Sequence, residues 1–184
     1  MVLAATGAGL QPSMTRLVSL SATGEQAEVV IDVPEPDRIL DMQGDVGVVW
    51  LVPLSAEPVV RVHGDRIYLA PGEAFEYTVL ARDGTPALIV RWNATRIPVT
   101  EEVRAALLER ELETTPEQLR GRIRRMFAEV QIPEFFPPYR DMQVDSEGNV
   151  WLEDYPGTGE ASGQWTVSDP AGRWLGTVSL PEGL

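Results

Sequence analysis

The sequence predicts an all-β protein, a β-propeller of about three consecutive four-stranded antiparallel blades with one α-helical insertion. Three observations carry this. One hairpin plan recurs three times, over 16–33, 75–92 and 164–180, each with two alternating apolar stretches around a glycine-containing turn, at Gly24, Gly84 and Gly172. Two of these hairpins follow another hairpin, over 59–70 around Gly64 and over 140–153 around Gly148, so that each pair makes a four-stranded meander. Between the two meanders the apolar spacing changes from two to that of a helix.

The elements follow in order. The first blade, 1–34, lacks its strand a: residues 1–7 overlay 66–72, so the chain is expected to begin at a strand b and to be the C-terminal portion of a longer, truncated propeller, a fold that usually has four to eight blades. A connector, 35–57, contains one apolar run at 46–52 that reads as a strand. The second blade spans 58–97. Residues 98–133 form the helical insertion. Thr100 with Glu101 and Glu102 reads as an N-cap, and Val103, Leu107, Leu108 and Leu112 share a face. Thr115-Pro116-Glu117-Gln118 reads as a capping box opening a second helix, with Leu119, Ile123, Met126, Phe127 and Val130 on its apolar side. The third blade is 137–182. A four-stranded meander this short cannot bury both faces alone, and stacking against copies of itself solves the problem. The whole, 1–184, is expected as a single partial propeller domain; the alternative within the β class is a sandwich.

Composition limits function. With 43% hydrophobic and 23% charged residues in 184, the chain is long enough for a real core. A net charge of -13 repels phosphate backbones and anionic lipid, so neither nucleic acid nor membrane insertion is expected. The absence of cysteine excludes disulfides and thiolate metal sites and leaves the compartment open. An upstream signal in a longer chain would place the protein in the periplasm or outside the cell.

Two turn motifs carry a family resemblance. Val144, Asp145, Gly148, Val150 and Trp151, then Trp165, Val167, Asp169, Gly172 and Arg173, resemble the paired motifs of bacterial six-bladed β-propellers related to NHL-repeat proteins. The second blade fits less fully, with His63-Gly64-Asp65 in place of the aspartate turn and Tyr68 where Trp151 stands. The resemblance covers about 57–182 well and the first 35 residues weakly. It implies blade architecture and no activity, because fold does not fix function.

Candidate chemistry is sparse. His63 is the sole histidine, beside Gly64 in a turn; it reads as a ligand contact or as a plain turn residue. The turn acids Asp65, Asp83, Asp145, Glu147, Asp154 and Asp169 lack calcium-loop spacing, and Asp beside a Gly turn favours an Asx turn. The tryptophans and tyrosines alternate with polar residues and read as interblade filling, except Tyr155 in a loop suited to ligand contact. Arg120, Arg122, Arg124 and Arg125 form a basic cluster, read either as an anion site at Arg124 and Arg125 or as partners of Glu109, Glu111 and Glu113. No catalytic residue, metal ligand or cofactor is assigned. The expected function is a non-catalytic scaffold recognising a protein or a small polar ligand; the alternative is a lactonase-like, metal-assisted hydrolase or lyase whose site lies largely in other blades.

Overall fold

A computed structural model describes residues 9–11, 13–20, 23–24, 27–43, 46–156 and 163–180. The strands are β1 (Gly9–Gln11), β2 (Met14–Leu20), β3 (Ala27–Pro34), β4 (Arg38–Gln43), β5 (Val46–Leu51), β6 (Val59–His63), β7 (Arg66–Ala70), β8 (Glu76–Leu80), β9 (Pro86–Arg91), β10 (Tyr139–Val144), β11 (Val150–Asp154), β12 (Gln164–Ser168) and β13 (Trp174–Ser179); helices α1 (Glu101–Thr114) and α2 (Glu117–Glu129) lie between β9 and β10. The protein is mostly β, and every sheet is antiparallel: β1-β4-β5, β2-β3, β6-β7-β8-β9 and β10-β11-β12-β13. The segments expected as the second and third blades are thus each one four-stranded meander, with all four strands in sequence order.

The chain divides into two compact units. One comprises 1–13, 36–55 and 97–136; the other comprises 14–35, 56–96 and 137–184. The expected connector and helical insertion therefore belong together. Ile39 and Val52 from the β1-β4-β5 sheet share a core with Leu112, Ile123 and Met126 of the helices, so the helices cover that sheet's apolar side. Arg122 reinforces this from α2, donating to the Asp41 carboxylate and to the Asp41 carbonyl oxygen at 2.8 Å. The segment that carries the helices closes on itself where the Val99 N–H donates to Glu134 and the Phe136 N–H to Ile97.

The first cap forms as expected, with the Thr100 hydroxyl accepting from the Val103 N–H. The second does not. Pro116 is the N-cap of α2 without a side-chain bond, and Thr115 instead donates to the Glu111 carbonyl, finishing α1. A Thr four residues after a helical carbonyl satisfies one of the orphan acceptors at the helix end. Leu119 is exposed, so the apolar stripe of α2 begins at Ile123. No helix among the described residues is long and apolar enough to cross a membrane.

In the other unit the two meanders lie face to face. Val59, Tyr68, Ala70, Tyr77 and Val79 of one pack against Tyr139, Met142, Val150 and Leu152 of the other. The Tyr77 and Ser168 hydroxyls meet at 2.7 Å, and the Tyr139 hydroxyl accepts from the Gly72 N–H at 2.8 Å while donating to the Glu76 carbonyl. Burial pushes the Tyr139 phenol up to about 12, the Gly72 N–H pulling the other way, so the group keeps its proton and its donor role. Trp92 joins this layer with its ring centroid 6.5 Å from Tyr77 and 6.4 Å from Tyr139. The expectation that aromatics fill the space between sheets holds for Tyr68, Tyr77, Tyr139 and Trp92; Trp174, 70% exposed, departs from it.

The β2-β3 hairpin meets the first meander at the Gly84 turn. A Cβ on Gly84 would come within 2.3 Å of the Val30 carbonyl oxygen, and a Cβ on Gly172 within 2.4 Å of a Val90 methyl. Each turn between the last two strands of a sheet thus presses on the last strand of the sheet before it. The expected overlay of residues 1–7 on a strand b lies outside the described residues, and 9–11 pair with β4 and not with β2.

Candidate functional site

The turns are built to hold their shape without ligands. In 145–149 the Asp145 N–H donates to Asn149 and the Gly148 N–H to Asp145; 169–173 repeats this with Asp169, Gly172 and Arg173, and 81–85 with Ala81, Gly84 and Thr85. Asp145 adds its carboxylate: Oδ1 accepts from the Glu147 and Asn149 N–H groups, each at 2.9 Å, and Oδ2 from the Asn149 amide at 2.8 Å and the Trp151 indole at 3.0 Å. Burial works to raise this carboxyl, but the hydrogen bonds outweigh it and hold the group at about 2. Asp169 is lowered as well, chiefly by the Arg173 N–H, and Asp83 by the Thr85 N–H. The Asx-turn reading of these aspartates is what the hydrogen bonds show. Among the described residues no group of three or more His, Asp or Glu side chains is placed to hold a metal ion.

His63 stands at a cleft. The β6-β7 turn (His63, Gly64, Asp65, Arg66) and the β10-β11 turn (Ser146, Glu147, Gly148) come together beside Tyr68 and Pro170 around an open cleft of about 360 Å³. That volume falls in the range of small-molecule sites. The stacking of the two meanders brings these turns together, because β6 and β10 run side by side and the Arg61 guanidinium of β6 pairs with the Asp141 carboxylate of β10. The lining carries the Arg66 guanidinium, the His63 imidazole and two carboxylates, Asp65 and Glu147. Such a lining can hold a ligand bearing both charges.

The other sequence candidates stand elsewhere. Tyr155 follows β11 at the end away from the cleft, half-buried, its N–H 3.4 Å from the Pro138 carbonyl; most of the loop after it lies outside the described residues. Next to it the Asp154 carboxyl, raised by burial, accepts from the Thr166 hydroxyl at 3.1 Å. Arg124 and Arg125 belong to the other unit and are exposed on α2. The expected pairing of the arginine cluster with Glu109, Glu111 and Glu113 is replaced: Arg122 bonds Asp41, and Arg120 donates to the Thr115 carbonyl at 3.2 Å. The reason is geometric, since α2 points Arg122 at the sheet it covers and not along α1. Arg66, Ser146 and Pro170 escaped the sequence reading; the available signal was that equivalent turns of successive meanders must meet when the meanders stack.

Comparison with protein-family models, with curated proteins and with solved structures returned no match for this chain.

Proposed function

We propose that the stacked meanders are successive blades of a β-propeller, of the six-bladed kind their turn motifs resemble, and that the protein is a non-catalytic scaffold binding a small zwitterionic ligand. The observation that carries the ligand reading is the convergence of two successive turns, one bringing His63, Asp65 and Arg66 and the other Glu147, around one cleft. The blade reading is supported by the repeated contact of a turn glycine with the preceding sheet's last strand, and by β6 lying beside β10, as inner strands around a common axis would. A free amino acid or dipeptide matches the cleft in size and in charge. Recognition is favoured over hydrolysis because the carboxylates of Asp145 and Asp169 already accept hydrogen bonds within their own turns.

The test is an amide-resolved NMR titration with glycine and simple dipeptides, and with acetate and methylammonium as single-charge controls. Concentrations run to about 10 mM, where a ligand held by about 4 kcal/mol registers. Saturable shifts at Gly64, Asp65, Glu147 and Gly148 are expected for zwitterions, with binding about tenfold weaker in Arg66→Ala through loss of a charge-assisted bond. Equal shifts with all four probes, or none at these amides, would overturn the reading.

A further inference from the structure

The stack within 14–35, 56–96 and 137–184 is directional, and its two ends are complementary. Strand register puts Tyr68, Tyr77, Val79, Leu88 and Val90 on the face of the first meander that packs against the second. Register puts Trp151, Trp165, Val167, Gly176 and Val178 on one face of the second meander. Counted from the turn glycines Gly84 and Gly172, Tyr77, Val79, Leu88 and Val90 correspond to Trp165, Val167, Gly176 and Val178, and strand pairing with Val79 and Val167 matches Tyr68 to Trp151, so the second meander turns away from the first the same face that the first uses to hold its neighbour. On that face Val167 and Glu153 are buried, at 4% and 9%, and Trp151, Trp165 and Val178 are half-buried, with no further sheet on them among the described residues.

The other end of the stack is the β2-β3 hairpin. One face of it carries Met14, Val18, Leu20 and Val29, exposed at 58%, 42%, 58% and 56%, around the Arg16–Asp32 ion pair. This is the side that the first meander turns toward the hairpin and that the second turns toward the first. The turn contact repeats the pattern. Val30 receives the Gly84 turn and Val90 the Gly172 turn, while Gly24, at the same place in the hairpin, has open space around it. Val178 stands in β13 where Val30 and Val90 stand in β3 and β9.

We infer that a second copy of this chain docks head to tail, its β2-β3 hairpin lying on the outer face of the β10-β13 sheet and its Gly24 turn against Val178. The docking repeats the turn-to-strand contact that the chain already makes twice within itself, Gly84 on Val30 and Gly172 on Val90, which is why the occupant is this chain and not an unrelated partner. It is a heterologous contact, so it leads to a ring or a longer assembly. It does not depend on the ligand proposed for the cleft. At -13 per chain the copies repel, and salt screens that repulsion, so association strengthens with ionic strength while the apolar contact is unaffected.

The test is mass by light scattering and sedimentation, on the full chain, in about 0.05 M and about 0.5 M salt. Mass at or above twice 20.3 kDa is expected, more so at the higher salt. Leu20→Glu disables one end and Val178→Glu the other, so each variant alone should be monomeric while an equimolar mixture regains a heterodimer through the one intact pair of faces. The regained heterodimer also shows that both variants are folded. A monomeric wild type at both salts overturns the inference, as does a dimer of either single variant, which would mean a face pairing with itself.

Discussion

Asp145 commits both carboxylate oxygens to its own turn, and that arrangement has a pH signature. Its folded value of about 2 lies below the ordinary carboxylate value of about 3.9, so its contribution is fully present above pH ~4 and is lost as pH falls toward 2. Asp145→Asn keeps the shape of the group but loses the charge, and leaves one accepting oxygen where the carboxylate has two. The variant should be less stable than wild type by about 1 kcal/mol near neutral pH, and the gap should close between pH ~4 and ~2. Thermal melts of both proteins across that range check this, and a gap that stays constant down to pH 2 would mean the turn draws nothing from ionisation. The aspartate's role was legible beforehand, because Asp followed by Gly three residues on leaves few other turn conformations. The partner of Arg122 was not, since Asp41 is 81 residues away and only the packing of α2 on β4 brings them together.

At the scale of elements, three glycines occupy the same turn position in different surroundings. Gly24, Gly84 and Gly172 have φ of 73°, 83° and 78°, so an alanine in any of them carries a similar backbone penalty of about 1 to 2 kcal/mol. Space separates them. Nothing lies near a Cβ at Gly24, whereas at Gly84 it would meet the backbone of Val30, which cannot move aside as a flexible side chain does. Gly84→Ala should therefore cost about 2 to 3 kcal/mol more than Gly24→Ala in dilute protein, measured by urea denaturation. Equal losses would mean that the hairpin does not press on the turn as described. The two complete meanders were readable from alternation and turn spacing because both signals are local. The pairing of β1 with β4, and the sheet they make with β5, were not readable: the partners are separated in sequence and the apolar run at 46–52 has no alternation to assign its face.

At the scale of the whole chain, two hydrophobic cores alternate along the sequence. The polypeptide passes from β1 to the hairpin, back to β4 and β5, on to the first meander, back to the helices, and ends in the second meander. A helical segment between two blades reads from sequence as a removable insertion, but here it supplies Leu112, Ile123 and Met126 to the core that covers Ile39 and Val52. Ile123 is fully buried, and its truncation to alanine leaves a cavity that costs about 2 to 5 kcal/mol. Because the aromatic layer between the meanders contains none of these residues, the damage should stay in one core. Hydrogen exchange of Ile123→Ala should speed up at amides of α1, α2, β4 and β5 while those of β7, β8, β11 and β12 keep their protection. Uniform loss of protection across both cores would mean that the chain unfolds as one cooperative block, with the helices as necessary to the stacked meanders as to their own sheet.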